Sequence, residues 1–229
     1  MTESEHAGVE EIHVIDNSAY VPKVIPTYVA LGFLAEYAGR NLVEGGEIVE
    51  TLFPSERQHV RGFVSILQDI AGEQNIATHI RQEVQPSGHI AIISRELTAY
   101  LDSLYLPMLD DASNFTNTNG RKRRSMRARI RAEMFPEIRS REYKPDEVDC
   151  RFSFLLGCHI RYGTNNSFKL ANAPHKVQLI VEFLERLGAS WIKWSWTIGT
   201  APVGHRIDFG PDAVLSRFLE LIGDFGTWE

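Results

Sequence analysis

Apolar residues recur at helical spacing from Val24 onward, with Ile25, Val29, Phe33 and Tyr37 standing four apart. Gly45-Gly46 closes that element. Pro54 and Ser55 open a second one, in which Ser55 and Gln58 match a capping box. Val60, Phe63, Val64, Leu67, Ile70 and Ala71 form its apolar face and Gly72 its stop. Ile76, Ile80 and Val84 predict a third helix, ended by Pro86-Ser87-Gly88. Ile90, Ile93, Leu97, Leu101 and Leu104 predict a fourth, with Pro107 near its end. The pattern over residues 1–110 is therefore that of a helical N-terminal bundle. The acidic first 19 residues are poorly patterned, and Ile12, Val14 and Ile15 would suit a short strand or a docked arm.

Residues 111–145 read as a loop followed by an arginine-rich helix. Asp110 to Gly120 is polar and rich in turn formers. After it, Met126, Ile130 and Met134 share a helical face, and Pro136 ends the element. The 146–229 part reads as a small α+β domain of hairpins and helices. Residues 146–162 fit two templates. Asp146 and Glu147 behind Pro145 are good helix-start chemistry, and Val148, Phe152, Leu155 and His159 keep helical spacing. Yet Phe152, Phe154, Leu156, Cys158 and Ile160 also alternate as in a strand. A turn at Gly163 to Asn166 and a short strand at Ser167 to Leu170 follow. Next come a helix from Pro174 to Gly188, a hairpin with strands near Ile192 to Ile198 and His205 to Phe209, and a last helix after Pro211. The fold class is α+β.

Charge changes this picture at one place. Arg121, Lys122, Arg123, Arg124, Arg127, Arg129 and Arg131 hold seven of the chain's 24 basic residues within eleven positions, with no acid among them, in a chain of net charge −6. Such a run calls for an anionic partner. A permanently charged guanidinium that donates two parallel hydrogen bonds suits phosphate. The same run would also pair with the protein's own carboxylates or dock on an acidic protein. The pI near 5.8 excludes coating nucleic acid with the whole surface.

Cys150 and Cys158 are too few for a disulfide scaffold. The first residues lack signal-peptide character, and no apolar stretch reaches the ~20 residues of a membrane span. These features predict a soluble, cytoplasmic protein that contacts no membrane. No Walker loop, dinucleotide fingerprint, nucleophile elbow or zinc signature occurs, so no cofactor is expected. Glu56 and His59, with His79, Glu83 and Glu36, have spacings that would converge on a metal if their helices formed one bundle. Glu56 fits a helix-start charge better. Trp194 and Trp196 are expected on the core face of their strand, with Trp191 and Lys193 on the other.

Leu155-Leu156-Gly157-Cys158-His159-Ile160-Arg161-Tyr162-Gly163 resembles the motif helix of the LAGLIDADG family, with Gly157 and Gly163 at the family's spacing. Downstream, the helix to Gly188, the hairpin from Trp191 to Phe209 and the last helix to Gly223 look like the tail of that family's αββαββα module, and the resemblance covers residues 146–223 at most. The family's acidic positions are Ile160 and Tyr162 here, and the segment from Thr164 to Pro174 is too short for its first hairpin. The resemblance implies a degenerate, non-cleaving DNA-binding module, because the family lays its sheet on duplex DNA. An unrelated small α+β domain would give the same pattern. The leading expectation is a non-enzymatic nucleic-acid-binding protein whose arginine-rich helix contacts the phosphate backbone. The alternatives are an inhibitor- or immunity-type protein docked on an acidic partner, and an enzyme with a metal-binding helical bundle.

Overall fold

Pro26 opens a helix whose residues Val29 to Phe33 are all buried. A helix that is apolar on every side belongs at the centre of a molecule, and this one sits there. The computed structural model describes residues 21–116, 122–135, 145–197, 203–211, 215, 216 and 219. In chain order it shows α1 (Pro26–Phe33), β1 (Arg40–Val43), β2 (Ile48–Leu52), α2 (Val60–Glu73), β3 (Arg81–Val84), β4 (Ile90–Ile93) and α3 (Arg95–Ser103). The chain continues with β5 (Tyr105–Thr116), β6 (Lys122–Ile130), α4 (Pro145–Tyr162), β7 (Ser167–Ala171), α5 (Pro174–Arg186), β8 (Trp191–Trp196) and β9 (Gly204–Gly210). Short 3-10 turns lie at Pro54–His59 and Ala132–Met134. Leu215, Ser216 and Leu219 are helical; the rest of the expected last helix and the acidic first 19 residues lie outside the described residues.

The α+β class is observed, but residues 21–110 contain strands as well as helices. The segment 76–84 is not helical: residues 76–80 are irregular and Arg81–Val84 form β3. Arg81–Val84 pairs with Ile90–Ile93 across a tight turn, in which Gln85 N–H donates to His89 O at 2.8 Å and Gly88 has φ +81°. Pro86-Ser87-Gly88 is thus a hairpin turn, not a helix stop. Ile90 to Ile93 are all buried because β4 is the central strand of its sheet. Helix α3 then starts at Ser94, whose Oγ accepts the Leu97 N–H. Helix α2 runs through Gly72 to Glu73 and is closed by Asn75 at φ +52°. At Pro54–His59 the capping contact is Phe53 N–H donating to Glu56 Oε2 at 2.8 Å, instead of a Ser55–Gln58 box.

The arginine-rich helix is likewise absent. Residues Lys122–Ile130 form β6, antiparallel to both β1 and β5. Met126 and Ile130 stand four apart, and four is also a multiple of two, so the same spacing serves a strand. Ala128 and Ile130 face the core, which leaves Arg127 and Arg129 on the opposite side of the strand.

Three antiparallel sheets have the orders β1-β6-β5, β2-β4-β3 and β7-β9-β8. The second and third correspond strand for strand. The series α1, β1, β2, α2, β3, β4, α3 is matched by α4, β7, α5, β8, β9, with the single strand β7 in place of β1 and β2. The two halves meet at α1 and α4, which touch backbone to backbone. A Cβ on Gly32 would lie 2.0 Å from Phe154 O, and one on Gly157 would lie 2.0 Å from Val29 O. Each glycine faces the residue three positions before the other, the reciprocity of a two-fold axis. Residues 146–162 are helix, and their alternation arises because α4 is buried on most sides. Two of its polar residues tie down the segment before α1: Asp149 Oδ1 accepts Lys23 N–H at 2.7 Å, and Ser153 Oγ accepts Ile25 N–H at 2.9 Å.

Candidate nucleic-acid interface

The centre of the molecule is where α1 ends. Its last carbonyls have no partner within the helix, and side chains from the second half supply donors. Lys176, fully buried on α5, donates from Nζ to Leu31 O at 2.9 Å, Gly32 O at 2.8 Å and Leu34 O. Arg161 of α4 donates to Phe33 O at 3.0 Å, and Cys158 Sγ to Gly32 O. Two cations at the negative end of a helix also oppose its dipole.

These cations are matched by carboxylates. Arg161 Nη1 lies 3.0 Å from Glu50 Oε2 and its Nε 2.8 Å from Glu56 Oε1. Burial would push the Arg161 guanidinium down, and Glu50 and Glu56 more than offset this, holding it charged. Glu36, four residues after Gly32, takes the Tyr105 hydroxyl at 2.8 Å and lies 3.8 Å from Lys176 Nζ, both on Oε1. Burial first, and Glu36 second, push the Tyr105 phenol well up, so it stays a donor.

This arrangement does not fit a metal. Ile160 and Tyr162 stand three and five residues after Gly157, and the equivalent positions after Gly32 are Ala35 and Tyr37. The nearby acid, Glu36, is 3% exposed and held by Lys176 and Tyr105. The metal-binding bundle fails also. Glu56 pairs with Arg161, His59 packs edge-on against Phe33, His79 lines a separate cleft and Glu83 lies on β3. No group of three or more His, Cys, Asp or Glu that could hold a metal occurs among the described residues.

The expected anion-binding residues lie on β6 and just beyond it. Arg124 and Arg129 are exposed and Arg127 and Arg131 half-buried. Arg127 Nη1 donates to Gly39 O at 3.1 Å and Arg131 Nε to Ser103 O at 2.8 Å. None of these four forms an ion pair among the described residues, whose salt bridges involve other cations. Arg127, Arg129 and Arg131 recur at two-residue intervals, about 7 Å apart along an extended chain. Lys122 and Arg123 belong to β6 as well, and Arg121 lies outside the described residues.

A second polar face is on β7-β9-β8. Register places Lys169 opposite Arg206 and Lys193 opposite Asp208. Hydrogen bonding from Arg206 holds the Asp208 carboxyl below its usual range, and Lys193 and Lys169 add to this. With Arg206 and Asp208 paired at 2.8 Å, the two lysines are a surplus of charge. On the other face Trp194 and Trp196 follow Ile207 and His205, as the alternation predicts, yet they are 40% and 56% exposed. Strand β8 is an edge of its sheet, paired only with β9 among the described residues. Trp191 lies across Gly210, where a Cβ would meet its Nε1 at 2.2 Å.

The chain resembles solved structures of the homing endonuclease I-DmoI. A set of its mesophilic variants matches with a TM-score of 0.51 at 13% identity, over 86% of this chain and 94% of that one. I-DmoI in complex with DNA and Ca matches with a TM-score of 0.51 at 11% identity, over 86% and 88%. The fold is LAGLIDADG-like. The likeness extends the expected resemblance, residues 146–223, to the N-terminal half. There the signal was Leu31-Gly32-Phe33-Leu34, a glycine among large apolar residues like Leu155-Leu156-Gly157. No protein-family model matches the sequence, and no curated protein matches it. No helix among the described residues is long and apolar enough to cross a membrane.

Proposed function

We propose that the chain binds DNA without cleaving it, gripping the phosphate backbone through the basic strand β6. The observation that carries this reading is the row Arg127, Arg129 and Arg131, without carboxylate partners among the described residues, in a fold like that of an endonuclease crystallised on DNA. Lys122, Arg123 and Arg124 belong to the same strand. Phosphate contacts of this kind give affinity without sequence readout. Lys169 and Lys193 on the third sheet add a second point of attachment. Two features support the absence of cleavage: neither central helix has an acid at the family's positions, and Glu36 is committed to Lys176 and Tyr105. The same arginines would suit an acidic protein, and the likeness to a DNA-bound fold favours DNA.

Fluorescence anisotropy with a labelled duplex across a salt series tests the reading. The wild type should lose affinity steeply with salt, and Arg127→Gln with Arg129→Gln should flatten the log–log slope by about one unit per lost contact. No strand scission should appear with magnesium or manganese. A protein that fails to bind duplex at low salt, or that nicks it in a metal-dependent manner, contradicts the proposal.

A further inference from the structure

Between the end of β6 and the first turns of α5 lies a cleft of about 320 Å³, within the ~300–1,000 Å³ range of small-molecule sites. Arg129 and Arg131 stand on one wall, and His175 and Gln178 on the other. Its floor includes Phe135, which is fixed by rings of Tyr28, Phe154 and Phe183 at 5.4, 5.6 and 4.6 Å. Glu36 closes the inner end. Its side chain is almost fully buried, with Oε1 held by Tyr105 and Lys176. The cleft therefore combines two guanidinium groups, a largely buried aromatic ring, the Gln178 amide and the Glu182 carboxylate, which is paired with Arg186. Arg131 is already fixed through Nε to Ser103 O, and its terminal nitrogens have no partner among the described residues.

We infer that this cleft takes one nucleotide unit of a bound nucleic acid, its phosphate against Arg129 and Arg131 and its base in the cleft between Gln178 and the edge of Phe135. Guanidinium pairs match phosphate in geometry and charge, and an unstacked base finds apolar lining and the polar edges of Gln178 and His175 in such a pocket. The inference rests on the nucleic-acid reading above. The nucleotide comes either from within a strand or from its 5′ end.

Isothermal titration of the full chain with a deoxynucleoside 5′-monophosphate, with inorganic phosphate and with the free nucleoside tests it. The monophosphate should bind at least about tenfold tighter than either part alone. Gln178→Trp, which fills the cleft from an exposed position, should abolish that binding with an unchanged melting temperature. Arg131→Gln should weaken it while leaving nucleoside binding as it was. Duplexes with 2-aminopurine inside a strand or at its 5′ end then distinguish the two sources, since the protein should change the emission of one and Gln178→Trp should remove the change. Monophosphate binding that is absent, or unaffected by Gln178→Trp, overturns the inference whether or not duplex binds. Monophosphate binding lost in Gln178→Trp, in a protein that binds no duplex, upholds the cleft and overturns the DNA reading instead.

Discussion

Lys176 is the side chain on which most depends. It is fully buried, satisfies three carbonyls of α1 and faces Glu36. Removing one partner of a buried pair costs about 3–5 kcal/mol, because the other is left charged or unsatisfied. Lys176→Met should therefore destabilise the protein by that amount in urea denaturation, and Glu36→Gln in the same background should recover part of it. A cycle showing no coupling would mean that the carbonyl contacts alone matter. Nothing in the sequence marks this lysine. It occupies one position in an ordinary amphipathic helix, and its role exists only where α5 meets the end of α1. Arg161 was equally illegible: within the motif it stood beside the positions where acids were sought, whereas the structure makes it the partner of Glu50 and Glu56.

At the scale of elements, the contact of α1 with α4 sets the frame. The two glycines permit backbone approach that no other residue allows. Gly157→Ala should force the helices apart and cost about 3 kcal/mol or more, and Gly72→Ala, with open space around it, should be neutral or stabilising. Equal melting temperatures for the two variants would refute this reading of the interface. Helices α2 and α5 were legible because each shows one apolar face for three turns or more. Strands β3, β4 and β6 were not. Four-residue spacing in β6 fits both periods, and β3 and β4 are strands only because a turn lets them pair. The buried α4 left its own period ambiguous until α1 was seen against it.

For the molecule as a whole, acid should loosen the fold. Burial holds the His159 and His59 imidazoles below their ordinary range, and Arg161 lowers His59 further. Their folded forms thus bind protons less readily than the unfolded chain, whose histidines titrate near 6.5. This contribution is complete above about pH 6.5 and is lost as pH falls from there toward the folded values, so stability should decline on acidification. Urea midpoints at about pH 7.5 and about pH 5.5 check it, and His159→Gln should narrow the difference. His159 Nε2, which donates to Asn165 O at 2.8 Å, already holds its hydrogen bond in the neutral form. The sequence by itself determined the α+β class, the long amphipathic helices, the β8–β9 hairpin and the concentration of positive charge, because periodicity, turn residues and charge are local properties. The tertiary structure alone decided that the charge lies on a strand, that the two halves repeat one plan, and that a lysine and an arginine close the end of α1 against Glu36, Glu50 and Glu56. Those outcomes depend on which distant segments pair, and pairing is set by the packing of the whole chain.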